Sequence, residues 1–434
     1  MIHMHSPSLF LSFLVSDFDN KMDHDPKSNT TPLLSSKRAT KLQTLGNIIV
    51  TVVGTGVLGL PFAFRIAGWV AGSIGVAIVG ISTYYCMLLL VWCRDKLALE
   101  EPLVESRSYG DLGYRCFGAL GRFVTELLLV VAQCAGSVAY LIFIGQNLDS
   151  VFQRNGPPIT SYIFMLVPVE IGLSWIGSLS ALAPFSIFAD VCNVLAMGIV
   201  MKEDVRQTLD DGFPFSERTA ITSNIGGLPF TAGMAVFCFE GFGMTLALEN
   251  SMQDKSKFPK LLAQTFSGIT LVYILFGLCG YIAFGEETRD IVTLNLPRTW
   301  SSLAVQVGLC LGLMFTFPIM LHPINEIIEG KLKSIRRNNN SDSTGLGKIT
   351  IYISRAIVVI VLAVVASFVP EFGVYASLVG STLCAMLSFV LPATFHLKLF
   401  GSSLRIWQKV LDYIVLITGL FFAVYGTYNS FVGV

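Results

Sequence analysis

The sequence predicts an all-α integral membrane protein in which two of the membrane spans are broken, and three observations lead there. Of 434 residues, 53% are hydrophobic and only 13% charged, against about 25% charged in a soluble domain. The charges collect in gaps between apolar runs long enough to cross a bilayer, and mean hydropathy is +0.67. Finally, residues 54 to 61 read Gly-Thr-Gly-Val-Leu-Gly-Leu-Pro in the middle of one such run. Three Gly and one Pro would cost a continuous helix roughly 6 kcal/mol relative to Ala. Backbone groups freed at bilayer depth must be buried in protein or face a polar cavity, so this break points to a binding site.

Eleven spans are expected, at about 42–66, 69–92, 122–147, 160–176, 180–201, 225–249, 259–284, 301–326, 350–369, 373–396 and 410–432. The first carries the Gly54 to Pro61 break. Glycines 72, 75 and 80 in the second read as close helix packing. A polar, basic gap, 93–121, precedes the third, where Glu126 lies near one end beside Arg122. Glu170 falls in the inner third of the fourth and is expected at the interface, as is Glu126. Asp190 lies near the middle of the fifth. The sixth is broken by Phe237-Cys-Phe-Glu-Gly-Phe-Gly243, and the eighth contains Phe317-Pro-Ile-Met-Leu-His-Pro-Ile-Asn-Glu326. The gap 327–349, with a basic run Lys331 to Arg337 and then Asn338 to Asn340, reads as a solvated loop that could attract anionic lipid.

Placing the N-terminus inside puts 22 Lys and Arg in inside segments and 7 outside, so the positive-inside rule orients the N-terminus to the cytosol and the C-terminus to the lumen or exterior. The sequons at Asn29 and Asn339 then face inside and are expected to be unused. Residues 1–41 read as a disordered cytosolic tail, with Met22 as an alternative start and a weak dileucine-like Thr31-Pro-Leu-Leu34. Nine cysteines, most within apolar runs, form no disulfide framework and no metal-ligand spacing. The net charge of zero offers no basic face for nucleic acid.

The two breaks occupy corresponding positions in oppositely running spans. That pairing is the sequence signature of an inverted-repeat secondary transporter with its substrate site at the repeat interface. The first repeat is expected at about 42–201 and the second at 225–396, with 410–432 as an extra helix completing a membrane domain of 42–434.

Three stretches carry a resemblance. They are Gly54 to Pro61 with Phe62-Ala-Phe64 and Gly68; Tyr109-Gly-Asp-Leu-Gly113 with Phe117-Gly118; and Phe237-Cys-Phe-Glu-Gly241 followed by Glu249-Asn250-Ser-Met252. Together they resemble the amino acid/auxin permease family, closest to its plant vacuolar amino acid transporters, over about residues 40 to 432. The resemblance implies a LeuT-like fold with a 5+5 inverted repeat, and proton-coupled or gradient-driven movement of amino acids, often from vacuole to cytosol. A plasma-membrane or other endomembrane location is the alternative. His322 departs from the small polar residue or Asn expected before the proline of the eighth span.

An α-amino acid carries one anion and one cation a fixed distance apart. The N–H groups around Gly54, Thr55, Gly56, Val57 and Gly59, with the positive end of the following half-helix, suit its carboxylate. Carbonyls near Phe237, Cys238 and Phe239 suit its ammonium, and Phe239 and Phe242 are candidates to cap an apolar side-chain pocket. A lone Glu at bilayer depth is expensive when charged, which makes Glu240 the first candidate for carrying a proton, ahead of Asp190 and His322. No enzyme constellation is present. The expectation is a secondary active transporter of neutral L-amino acids, with the proton as coupling ion, no cofactor and no obligate protein partner. An amino-acid-sensing receptor using the same site is the rival, and it would call for a larger cytosolic domain than a 41-residue tail. A channel would show a polar stripe along several helices, where this sequence has isolated charges.

Overall fold

The computed structural model describes residues 40–432 except 101–107, 153–156, 177–178, 211–217, 225, 339–343, 370 and 402. Both sequons and the dileucine-like segment lie outside the described residues, as does the tail up to residue 39. The first helix, α1 (Lys41–Val52), opens on a capping box in which Thr40 and Gln43 each accept from the other's backbone N–H. This satisfies two of the donors that a helix start leaves without partners. Val53 and Gly54 are extended, and the chain resumes as a 3-10 turn, Thr55–Gly59, leading into α2 (Leu60–Ala67). Pro61 falls in the first turn of α2, where its missing N–H costs nothing. The two halves are bent by 47°.

There follow α3 (Trp69–Glu100), α4 (Tyr109–Phe152), α5 (Ile159–Ser174), α6 (Leu179–Asp210), α7 (Gly227–Cys238), α8 (Phe242–Ser251), α9 (Phe258–Phe284), α10 (Trp300–Asn338), α11 (Thr344–Ser367), α12 (Phe372–Val379), α13 (Leu391–Phe400) and α14 (Ile406–Val432). Among the described residues nine helices are long and apolar enough to cross a membrane, and the bent pair α1–α2 makes a tenth. The expected count of eleven is not reached on length. At 16 residues, α5 is about 24 Å long, short of a hydrocarbon core of roughly 30 Å.

Two gaps expected to be loops are largely helical. Helix α3 runs on to Glu100, and α10 continues through the basic run to Asn338. Lys and Arg are good helix formers, no proline interrupts either extension, and the single Gly330 in α10 costs only about 1 kcal/mol. Helix α4 begins at Tyr109, with a kink at Phe117 and Gly118, where Gly118 has φ 64°. A left-handed backbone favours glycine, which gives the Phe117-Gly118 motif a geometric reason. Glu126 pairs with Arg122 at 2.7 Å, as its spacing suggests. Glu170, expected at the interface, is fully enclosed, and neither carboxyl oxygen has a partner among the described residues.

Packing gathers the broken segments at the centre. Helix α3 packs against α9, α4 and α6 against α10, and α7 against α12. Small residues let α7 and the tenth span approach closely: a Cβ on Gly233 would stand 2.5 Å from the Ser377 carbonyl, and one on Gly380 would run into the carbonyl of Gly233. Between α12 and α13 lie two π-helical stretches, Gly380–Cys384 and Met386–Val390, a widening of the helix that is frequent at functional sites.

The face on which α1 begins is termed inner, the opposite one outer. At the inner face the buried guanidinium of Arg94 (α3) pairs with Glu249 (α8) and Asp95 and donates to Asn250 at 2.9 Å, while Lys255 reaches the same Asn250 oxygen at 2.7 Å. Arg94 and Glu249 side chains are 8% and 2% exposed. Removing one member of a buried pair costs about 3–5 kcal/mol. Arg94→Met is therefore expected to lower thermal stability in detergent strongly, and Arg94→Met with Glu249→Leu to recover much of it; additive losses would show that the pair is not coupled.

At the outer face Arg65 (α2) donates to the Thr288 carbonyl at 2.7 Å and stands 3.8 Å from Glu286. Asp290 accepts from Gln146 (α4) at 2.9 Å and from the Phe372 N–H that starts α12, also at 2.9 Å. Thr293 donates to Asn147 at 2.8 Å, and its carbonyl accepts from Gln306 (α10) at 2.7 Å. Burial pushes the nearby Glu371 carboxyl up, with Asp290 adding to the effect and Arg65 opposing it. The loop 285–299 is thus tied to α2, α4, α10 and α12, and the outer side is closed over the breaks.

Candidate functional site

The two interruptions meet. A Cβ on Gly56 would lie 3.2 Å from the Phe237 ring and 3.4 Å from Cys238 Sγ, and one on Gly59 would lie 3.0 Å from Met234 Cε. Thr55, Gly56, Val57, Leu58 and Gly59 are all buried, while Gly54 is exposed. Val57 N–H makes a 3.4 Å bond to the Gly54 carbonyl. The N–H groups of Thr55 and Gly56 come before that bond, at the end of a helical segment where partial positive charge accumulates. They are positioned as donors to an anion.

In the sixth span α7 ends at Cys238, residues 239–241 leave the helix, and α8 restarts at Phe242. Both broken ends are held by one side chain that sequence reasoning did not single out. The Tyr273 hydroxyl, from α9, lies 3.0 Å from the Val52 carbonyl and 3.1 Å from the Cys238 carbonyl. It is fully buried and shares its single proton between the last carbonyls of α1 and α7. A second missed residue is Asn193 on α6, whose Nδ2 donates to the Val53 carbonyl at 3.3 Å and whose Oδ1 is buried without a partner among the described residues. A lone amide in an apolar span was the available signal. Of the carbonyls expected to receive an ammonium, that of Cys238 already accepts from Tyr273 and that of Phe237 from Glu240 N–H at 3.4 Å.

Glu240 sits inside the second break. Its carboxyl lies among the N–H groups of Gly241 and Phe242 and the side chains of Cys384 and Ser388 on the π-helical stretches, with Oε2 enclosed and without a partner among the described residues. Phe239 and Phe242 are 1% and 0% exposed. Phe239 packs against Tyr273 at 4.9 Å and stacks on Phe266 at 6.0 Å, so its ring faces α9. Phe237 is the half-buried aromatic at the junction and meets Phe372 edge-on at 6.3 Å.

The other two proton candidates lie apart. Asp190 is half-buried on α6, three residues from Asn193, with Tyr140 of α4 nearby. His322 lies 3.8 Å from Glu326, and its further charged neighbours are Glu329 and Arg355. Arg355 holds Glu329 at 2.7 Å near the inner end of α10. A network absent from sequence reasoning ties α3, α13 and α14: Asp412 accepts from Tyr85 at 2.7 Å and meets His396 Nδ1 at 2.6 Å, with Asp412 and His396 at 0% and 3% exposure. The nine cysteines are free thiols.

Comparison with known proteins places this geometry. Residues 37–432 match the family described as transmembrane amino acid transporter protein. The chain is 61% identical over 415 residues to amino acid transporter ANT1 of Arabidopsis thaliana, covering 94% of this chain and 95% of that one. It is 38% identical to amino acid transporter AVT3C of the same plant, covering 93% and 94%. Vacuolar amino acid transporter 3 of Schizosaccharomyces pombe is 28% identical, with 93% of this chain matched to 61% of that one. Among solved structures, the inward-facing conformation of Mhp1 is similar with a TM-score of 0.54 at 12% identity, covering 93% of each chain. That likeness is one of fold, the LeuT-type arrangement of broken helices.

Proposed function

This chain belongs to the transmembrane amino acid transporter protein family, and from that premise we propose that it is a proton-coupled transporter of neutral amino acids that works by alternating access at the vacuolar membrane. One observation above the rest supports the reading: the two broken helices touch, the first presenting the N–H groups of Thr55 and Gly56 at the start of its 3-10 turn and the second a carboxyl at Glu240. The substrate carboxylate takes the N–H groups. Its side chain lies toward Phe237, an apolar aromatic, which favours neutral amino acids. Glu240 carries the proton.

The vacuolar assignment follows the names of the fungal relatives and the inside N-terminus that the charge count gives. A lumen-to-cytosol direction follows if the lumen is the acidic side, because a proton loaded there leaves on the cytosolic side. The closed outer loop and the partly exposed Val53, Gly54 and Glu240 suit the half of the cycle in which substrate exits inward.

Reconstitution into liposomes with an imposed pH gradient and labelled amino acids tests each part. Neutral amino acids are expected to accumulate with the gradient, and an ionophore that collapses it to abolish accumulation. Accumulation indifferent to the ionophore would overturn the coupling, and preference for cationic or acidic amino acids would overturn the substrate class.

A further inference from the structure

We propose that Asp204 is a second proton-binding site, reached from the outer face, which senses the position of the outer half of the first span. Asp204 lies on α6, towards the outer end of the helix, and is 0% exposed. Both of its carboxyl oxygens are enclosed, and neither has a hydrogen-bond partner among the described residues. A buried carboxylate left in that state is costly unless it is paired or neutralised. Among the described residues no ion pair reaches it.

Gly280 of α9 lies between this carboxyl and α2: a Cβ there would stand 2.6 Å from Pro61 Cγ of α2 and 3.4 Å from Asp204 Oδ2, so Pro61 and Asp204 border the same glycine. Pro61 begins the half-helix that carries the proposed substrate-carboxylate site at its start, so any movement of α2 relative to α6 changes the enclosure of Asp204. From its own helix the neighbouring charge is Glu203, which is held by Lys202 at 3.2 Å and Arg206 at 3.8 Å. The Thr208 hydroxyl turns instead to the Asp204 backbone carbonyl at 2.8 Å. From α9 the titratable neighbour is the Cys279 thiol, and α2 presents the apolar Pro61 ring across Gly280. Of the outer cations, Arg218 donates to the Ile282 carbonyl at 3.0 Å and Arg65 of α2 to the Thr288 carbonyl at 2.7 Å. With no cation to pair it, a proton completes the site. When α2 swings away the carboxyl meets water and exchanges that proton with the outer compartment; when α2 returns the proton is trapped.

The inference rests on proton coupling and adds an outer loading point to it. In proteoliposomes, Asp204→Asn is expected to lower gradient-driven amino acid accumulation about tenfold, within the usual range of coupling free energies. Equilibrium exchange of labelled for unlabelled substrate, which needs no net proton movement, should persist, and Asp204→Glu should retain coupling. Accumulation by Asp204→Asn with wild-type pH dependence would overturn the site while leaving proton coupling standing. A wild-type protein indifferent to the gradient would overturn both. Should Asp204→Asn fail to fold, the native protein decides: a hydrophobic carbodiimide, which reacts with protonated carboxyls in apolar surroundings, is expected to label the Asp204 peptide at acid to neutral pH, and an unlabelled peptide overturns the proposal.

Discussion

Gly56→Val is expected to abolish substrate binding and transport while leaving a folded protein, whereas Gly54→Ala, two residues away, is expected to be near wild type. Both glycines belong to the same break, yet their surroundings differ. Gly54 is extended, with φ −108° and ψ −172°, a conformation open to any residue, and a Cβ there meets nothing within 4 Å. At Gly56 the first added carbon already stands 3.2 Å from the Phe237 ring and 3.4 Å from Cys238 Sγ. Further methyls would push the two breaks apart and fill the space between them. Overpacking of this kind costs about 1–3 kcal/mol, which a whole membrane domain tolerates, but it occupies the place proposed for the substrate carboxylate. Alanine at 56 should be intermediate, because the Phe237 ring has some freedom to turn. The measurement is a thermal shift on adding neutral amino acids, together with uptake. A Gly56→Val protein that still shifts and transports would move the carboxylate site away from the first break.

The breaks were legible in the sequence because their cause is local. Clustered Gly and Pro weaken a helix from within, and the α-helical conformation is indeed absent from Val53 to Gly59 and from Phe239 to Gly241. What holds the breaks was not legible, because it is supplied by single residues far away in the chain. Tyr273 is one aromatic in an apolar span, and only the packing of α9 across both half-helices makes it the shared donor to Val52 and Cys238. Asp412, His396 and Tyr85 lie on three helices, and no spacing joins them. The side chains at the second break show the same limit: composition suggested Phe239 and Phe242 as a pocket cap, whereas the rotation of the helix ends directs Phe239 onto Phe266 and Tyr273. Glu170 looks interfacial from its position in the inner third of its span, and Asp204 falls just beyond the span expected at 180–201. Their enclosure depends on neighbours that hydropathy windows do not see.

Glu240→Gln is expected to separate transport from its driving force: gradient-driven accumulation lost, exchange retained, and pH dependence flattened. Gln has the shape of Glu, and its carbonyl oxygen can still accept from the N–H groups of Gly241 and Phe242, so the break at 239–241 should keep its geometry. What Gln lacks is a titratable proton. If Glu240 instead serves as a fixed clasp between the sixth span and the π-helical stretches at Cys384 and Ser388, the amide substitutes for the protonated acid, and both accumulation and its pH profile should survive at a stability cost of about 1–3 kcal/mol or less. Ser388→Ala sharpens the distinction. It removes one neighbour of the carboxyl but no titratable group, so a clasp predicts similar stability losses for both variants, whereas a carrier predicts that Ser388→Ala shifts the pH profile and only Glu240→Gln erases it. A Glu240→Gln protein with an unaltered profile would return the coupling role to the remaining carboxyls, Asp190 on α6 and Asp204 at the outer junction, where the same exchange-against-accumulation measurement tells them apart.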